Sequence, residues 1–350
     1  GITVGGQLRE LRRLIYCGEW IESHTLHIAM LHAPDFLGYP DAMAMAKEHP
    51  ETVKLALRVK KIGNELVRML GGREVHPINC RLGGFYRTPS KPELGALRPQ
   101  LEEGLDGALR LVQFVAGFDF PTFEKDYEFV ALRHPKEYPF NEGRLTSTGG
   151  IDVKVQDYDS VLREEQVEHS TALQSQVKGR GPAHMGPLAR YALNHQRLTP
   201  GAKRAAADAG LGTICRNPFK SIIVRAVEVV FAFEEALRIV EAYQPPAAPH
   251  VEVPPRSGCG YAATEAPRGL CYHRYRIDEA GSIEEAKIVA PTSVNQRIIE
   301  QDLRDFIQPH IELPDAALQL ECERAIRNYD PCISCSTHFL KLNVERERAS

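Results

Sequence analysis

Asp330-Pro331-Cys332-Ile333-Ser334-Cys335-Ser336-Thr337-His338 puts two thiols, a carboxylate and an imidazole into one short segment. Two thiolates with two residues between them can bind one metal, because that spacing lets both sulfurs point the same way. The same spacing also occurs in buried thiol pairs and redox disulfides, and Cys332, Cys335 and His338 together could hold zinc. A second segment, Glu265-Ala266-Pro267-Arg268-Gly269, follows the Gly-rich stretch Ser257-Gly258-Cys259-Gly260. An arginine between proline and glycine is presented by a constrained backbone, although a single such arginine is more often a solvated surface turn. A third, Ser23-His24-Thr25-Leu26-His27 with Leu31-His32-Ala33-Pro34-Asp35, gathers three histidines and a carboxylate. His24 and His27 share a helix face. Neutral histidines hydrogen-bonded in a core account for this segment more readily than a metal site. His76-Pro77 with the paired glycines Gly71-Gly72 and Gly83-Gly84 reads as a tight loop, and Gly186-Pro187-Leu188-Ala189-Arg190 as a loop entering a helix; both are read as structural.

These residues need a frame, and the hydrophobic pattern predicts one made mainly of helices. Leu11, Leu14, Ile15, Gly18 and Ile21 form a stripe within a helix expected over 8–31. Leu55, Val59, Ile62, Leu66 and Met69 mark another over 51–70, stopped by Gly71-Gly72. Leu101, Leu105, Ala108, Val112 and Val115 mark a third. Residues 221–243 are apolar on nearly every side, as in a helix buried inside a bundle. Residues 244–256 are a Pro-rich connector that cannot be helical and should lead to the site. Tyr272–Ile277 and Ser282–Ala290 around an Asp-Glu-Ala-Gly turn predict a hairpin, and helices resume over 295–307 and 314–328. The expected fold class is mainly α (α+β), a long-helix bundle with a small peripheral β region. The expected organisation is one domain over 1–350: a helical core over 1–118 and 160–243, an irregular or β insert over 119–160, a site-bearing part over 257–338 and a tail over 339–350.

The 350 residues, 43% hydrophobic and 25% charged, suffice for a large core, and a net charge of −3 implies neither nucleic acid nor a lipid surface as partner. No apolar run reaches the roughly 18 residues of a membrane span. Eight cysteines are scattered over a chain large enough not to need disulfide staples.

The segments 23–36, 71–84, 168–190, 264–269, 290–295 and 330–338 occur together in an order that resembles the large, catalytic subunit of nickel–iron hydrogenases. The cytoplasmic branch linked to nicotinamide, including the sulfhydrogenase α subunits, is the most similar. The resemblance implies nickel and iron held by four thiolates, with carbon monoxide and cyanide on the iron, and heterolytic cleavage of dihydrogen. It implies that Cys332 is a terminal nickel ligand and that Cys335 bridges nickel and iron. Arg268, preceded by Pro267 beside the cofactor, would reach over the open position, held by Asp35 and Asp330. Thr292 would hydrogen-bond a cyanide, and His338 would bind a magnesium-type ion. The implied partners are a small subunit carrying iron–sulfur clusters, NAD(P)/flavin diaphorase subunits, a maturation chaperone and a C-terminal endopeptidase. Cytoplasmic location follows from the branch.

In the family a second Cys-x-x-C, upstream of the first helix seen here, supplies the other two thiolates, and Cys17 and Cys80 do not match it. The chain is therefore expected to be N-terminally truncated and inactive alone. The residues after His338 are expected to be a tail removed on maturation. Cys335 is expected within about two helix turns, ~11 Å, of Arg268, and an apolar concave face to dock the small subunit. The alternatives are a metal-free relative serving as a quinone-site subunit of a complex I-like assembly, and a helical scaffold with an incidental zinc site.

Overall fold

A computed structural model describes residues 2–331 and 342–345. The apolar stripes form α1 (Gly6–Leu26), α2 (Pro50–Gly71) and α3 (Arg98–Ala116), followed by α4 (Pro187–Asn194), α5 (Pro200–Asp208) and α6 (Ser221–Ala242). α6 is buried almost all round and packs on α1, α3, α4 and α5. α1 in turn packs along α2. That crossing is close because glycines face each other: a Cβ on Gly63 would lie 2.8 Å from Glu22 N and 2.9 Å from Gly18 O. Trp20 of α1 is fully buried against Phe140, with ring centroids 4.5 Å apart.

The helix expected over 8–31 changes character at its end. After Leu26 the chain widens into a π-helical turn, His27–His32, and the short helix Ala33–Leu37 follows. The widened turn re-aims the histidines and Asp35 away from where a continuous helix would put them.

Strands β1 (Val130–Arg133), β2 (Arg144–Ser147) and β3 (Asp152–Val153) form one antiparallel sheet inside the irregular insert. The expectation of helix from residue 160 onward is corrected: β4 (Leu162–Glu165) and β5 (Gln174–Val177) pair antiparallel before the helices resume. Gln174–Val177 is wholly buried although mostly polar. Gln174 donates to Glu300 at 2.7 Å and Ser175 meets Ser293 at 3.2 Å, so this strand is held by hydrogen bonds and not by an apolar stripe.

β6 (Gly258–Ala266), β7 (Gly269–Ile277) and β8 (Ile283–Val289) form a meander. The expected hairpin is β7–β8; β6 is an addition to the expected elements. The connector 244–256 is not helical and leads into β6, touching Gly84 through a bridge at His250. α7 (Pro291–Ile307) and α8 (Asp315–Arg327) complete the frame, α7 starting with proline at its first position. Among the described residues no helix is long and apolar enough to cross a membrane.

Replacing Gly63 by Ala should cost about 1–3 kcal/mol, because the new methyl meets backbone that cannot retreat without parting α1 from α2. Denaturant unfolding of the purified protein measures it; an unchanged midpoint would mean the crossing relaxes freely.

Candidate active site

The register of β6 and β7 pairs Ala266 with Gly269, so Pro267 and Arg268 are the two residues of the turn between them. Gly269 has φ +138, and a Cβ there would press to 3.0 Å on Gly186 N and on Met185 Cβ. Gly186 has φ +101, and a Cβ there would lie 2.7 Å from Arg268 O. The Gly-Pro entry to α4 and the hairpin tip are therefore in backbone contact, and side chains on either would separate them.

Arg268 leaves this tip toward Asp330. Its Nε donates to Asp330 O at 2.6 Å and lies 3.3 Å from Asp330 Oδ2. Asp330 is 1% exposed and has φ +47, an uncommon conformation for a non-glycine residue. The pairing of Arg268 with Asp330 is thus in place. Asp35 is elsewhere: its carboxylate accepts from Arg327, so the expectation that it holds Arg268 directly is corrected. Burial outweighs Arg327 and raises the Asp35 pKa to about 6. Pro267 is buried at the tip, and Thr292 is half-buried in the first turn of α7. Three residues further on, Asn295 accepts from Met185 N at 2.8 Å and donates to Arg268 O at 3.5 Å. Cys332, Cys335 and His338 lie outside the described residues, as does most of the tail.

Below the tip sits a group that the sequence reading treated as structural. Arg190 of α4 donates from Nε and Nη2 to the two oxygens of Glu228, at 2.8 and 2.7 Å. It also donates to Ala266 O at 2.8 Å and Pro267 O at 2.9 Å, and reaches Glu265 at 3.3 Å. Its guanidinium lies 4.4 Å from the Trp20 ring centre. Glu228 further accepts from His24 Nε2 at 2.9 Å and Tyr138 Oη at 2.8 Å. None of Arg190, Glu228, Glu265 and His24 is exposed. Burial alone would raise the Glu228 pKa, but Arg190 and His24 overcome it and hold it at about 2. Burial lowers His24 to about 4 despite Glu228, so His24 is neutral and donates from Nε2. Burial raises Glu265 to about 7 against the pull of Arg190. The signal that could have found this network is a charge inside an apolar helix: Glu228 stands in the buried half of α6, where an ionised carboxylate needs a partner.

The chain from α8 to Asp330 is anchored residue by residue. Arg327 donates to Glu323 at 2.9 Å besides Asp35, and its carbonyl meets His27 Nε2 at 2.8 Å. Ser221 Oγ donates to Asn328 O at 2.8 Å. Tyr329 donates to Asp302, which is also paired with Lys125 at 2.8 Å.

The described cysteines are free thiols. Among the described residues, the grouping with ligand atoms near enough to share an ion is His134, Glu137 and Glu142. Arg9 and Arg13 already pair with its carboxylates, so it is an ion-pair cluster and not the site.

Residues 181–338 match the family model described as nickel-dependent hydrogenase. Sulfhydrogenase 1 subunit alpha of Pyrococcus furiosus is 31% identical, over 98% of this chain and 80% of that protein. The NAD-reducing hydrogenase HoxS subunit beta of Cupriavidus necator is 26% identical, over 97% of this chain and 78% of its own length. The crystal structure of an NAD+-reducing [NiFe]-hydrogenase in its H2-reduced state superposes with a TM-score of 0.83 at 23% identity, covering 95% of this chain and 80% of that one. The Ni-Fe-Se hydrogenase of Desulfomicrobium baculatum superposes with a TM-score of 0.67 at 18% identity, over 97% of this chain and 84% of that one.

Arg190→Met strands Glu228 without its cation and should destabilise the fold by about 3–5 kcal/mol; a loss in denaturant unfolding no larger than that of a surface Arg→Met control counts against the network. His184 supplies a pH-dependent test. Burial pushes its pKa down to about 3, against a raising contribution from the Met185 backbone. An unfolded imidazole titrates near ~6.5, so the stability this neutral ring contributes is fully present above that pH and is lost as pH falls toward the folded value. The drop in melting temperature between about pH 7 and about pH 5 should shrink in His184→Phe; an equal drop in both proteins would show that His184 does not titrate in this way.

Proposed function

This chain belongs to the nickel-dependent hydrogenase large-subunit family, and on that footing we propose that it holds a nickel–iron centre through Cys332 and Cys335, with Arg268 over the open position. The observation that carries the reading is the Arg268–Asp330 contact: an arginine fixed at a hairpin tip meets the residue two positions before Cys332. The donor set fits such a group. Two soft thiolates suit a low-valent transition metal. Beside Asp330, His27 has its Nε2 3.9 Å from the carboxylate and keeps a buried Nδ1 that has no hydrogen-bond partner among the described residues. A bound nickel–iron centre supplies the heterolytic cleavage of dihydrogen.

This chain's own residues orient and shield. Arg268 presents a planar guanidinium fork, so it can polarise and align what sits in the open position. Asp330 fixes one edge of that fork through a charge-assisted hydrogen bond. Arg190 holds the carbonyls on the N-terminal side of Arg268, and Asn295 holds the carbonyl of Arg268 itself. Asp35 acts one step back, by fixing Arg327 and with it the approach to Asp330.

The finer assignments belong to the same reading. Thr292 hydrogen-bonds a cyanide on the iron, and His338 binds a magnesium-type ion. A small subunit with iron–sulfur clusters would take the electrons and pass them to NAD(P)/flavin subunits, in the cytoplasm. A chaperone and a C-terminal endopeptidase complete maturation. The relatives compared above are hydrogenases, so the metal-free quinone-site reading is set aside.

The test uses the whole subunit, purified with its partners from its natural host. Cys332→Ser should abolish nickel binding, measured by elemental analysis. Arg268→Lys should keep nickel and lower hydrogen-dependent turnover roughly 10²–10³-fold. Full nickel content in Cys332→Ser, or full turnover in Arg268→Lys, would sink the assignment.

A further inference from the structure

The buried arginines of this protein follow a rule that one of them breaks. Arg13 donates to Glu235, Arg190 to Glu228, and Arg327 to Asp35 and Glu323. Arg225 is just as buried, at 1% exposure, and lies one turn before Glu228 on α6. Among the described residues it donates to no carboxylate. Its Nη1 donates to Ser221 Oγ at 2.8 Å, and its Nε has no hydrogen-bond partner. A guanidinium carries five N–H donors, and water that could have satisfied them is largely excluded by burial. Burial, with Arg190 and Arg268 adding to it against the pull of Asp330 and Glu228, lowers the Arg225 pKa to about 10, which leaves it charged at neutral pH.

A second unsatisfied polar atom accompanies it. His27 Nδ1 is buried without a hydrogen-bond partner among the described residues, while His32 has the Asn328 side chain and His184 the Met185 backbone as polar neighbours. Arg225 acts electrostatically on all three histidines. Burial keeps those imidazoles neutral, so they do not supply the missing anion. The place is connected to the site through one hydroxyl: Ser221 accepts from Arg225 and donates to Asn328 O, in the segment that leads through Asp330 to Cys332. A buried cation with spare donors next to that segment is the complement of an anionic group.

We propose that Arg225 is the buried counter-cation of the nickel–iron centre, facing the anionic part of its ligand shell (thiolate sulfur or cyanide nitrogen) from the α6 side while Arg268 faces it from the hairpin. The inference rests on the reading of Cys332 and Cys335 as metal ligands. It makes the positive charge at the centre a property of two elements, one half-buried at a turn and one sealed in the core. It also explains why α6 tolerates an unpaired arginine: the cost of burying it is recovered when the metal group is inserted.

The test compares Arg225→Met and Arg225→Lys with the parent and with Cys332→Ser, each as the whole subunit with its partners from the natural host. Three quantities are read: nickel and iron content, the infrared stretching bands of the diatomic iron ligands, and the melting temperature of metal-free protein from nickel-starved cells. Arg225→Met should melt, metal-free, at the parent's temperature or higher, because it removes a buried charge that Asp330 and Glu228 compensate only in part. It should nevertheless lose most of its nickel. Arg225→Lys should keep nickel, with the bands displaced: a shift confined to the cyanide bands identifies cyanide as the partner, and a common shift of all bands identifies a thiolate. Lower metal-free stability in Arg225→Met, with the parent's nickel content per folded protein and unchanged bands in both variants, would make Arg225 a structural residue and overturn the proposal. Nickel retained in Cys332→Ser would instead remove the underlying reading, a separate failure.

Discussion

Arg190 and Glu228 meet where water is excluded, and the placement of Arg268 depends on that meeting. A carboxylate in the interior of α6 is costly unless its charge is matched and its oxygens are filled. The guanidinium fork matches both oxygens at once, and the remaining capacity of Glu228 goes to His24 and Tyr138. Having committed to Glu228, Arg190 still has donors to spare, and they take the carbonyls of Ala266 and Pro267. A lysine could match the charge but not the geometry of these contacts. A pair of this kind adds little net stability compared with well-packed hydrophobic side chains. Its consequence here is positional: α4, α6, α1 and the β6–β7 turn share one set of hydrogen bonds, so the turn cannot move independently of the bundle.

The same economy governs the chain that approaches Cys332. From Arg327 to Asp330 each residue is tied by a polar partner from a different element: Asp35 and His27 from the end of the first helical segment, Ser221 from α6, Asp302 from α7 and Arg268 from the hairpin. Such a segment has few conformations left to lose when a metal is bound, which is the physical content of preorganisation. Asp35 contributes to this although it does not touch Arg268. Its effect on the candidate centre passes through Arg327, and the π-helical turn His27–His32 is what brings it to that side.

Polar burial is also what separates a site from a core in this protein. The region around Trp20, Phe140 and Phe231 is filled by aromatic contacts. On the side of Asp330, His27 and Arg225 keep buried polar atoms that no described neighbour satisfies.

The sequence by itself determined the helices, because a stripe such as Leu55, Val59, Ile62 and Leu66 states both the period of the element and the face it buries. It determined the thiolate pair and the constrained arginine, because Cys-x-x-C and Pro-Arg-Gly are local arrangements whose chemistry does not wait for the fold. It also carried an unread sign, the charges Arg225 and Glu228 within an apolar helix. What only the tertiary structure decided was partnership. β6 consists largely of small residues with little strand preference and exists because β7 pairs with it. Gln174–Val177 is buried by hydrogen bonds to α7 that no periodicity announces. Asp35 went to Arg327 and not to Arg268 because a one-residue widening of a helical turn re-aimed it. Periodicity and motif are properties of neighbours along the chain, whereas the partner of a buried charge is fixed by which distant backbones can approach within hydrogen-bonding distance.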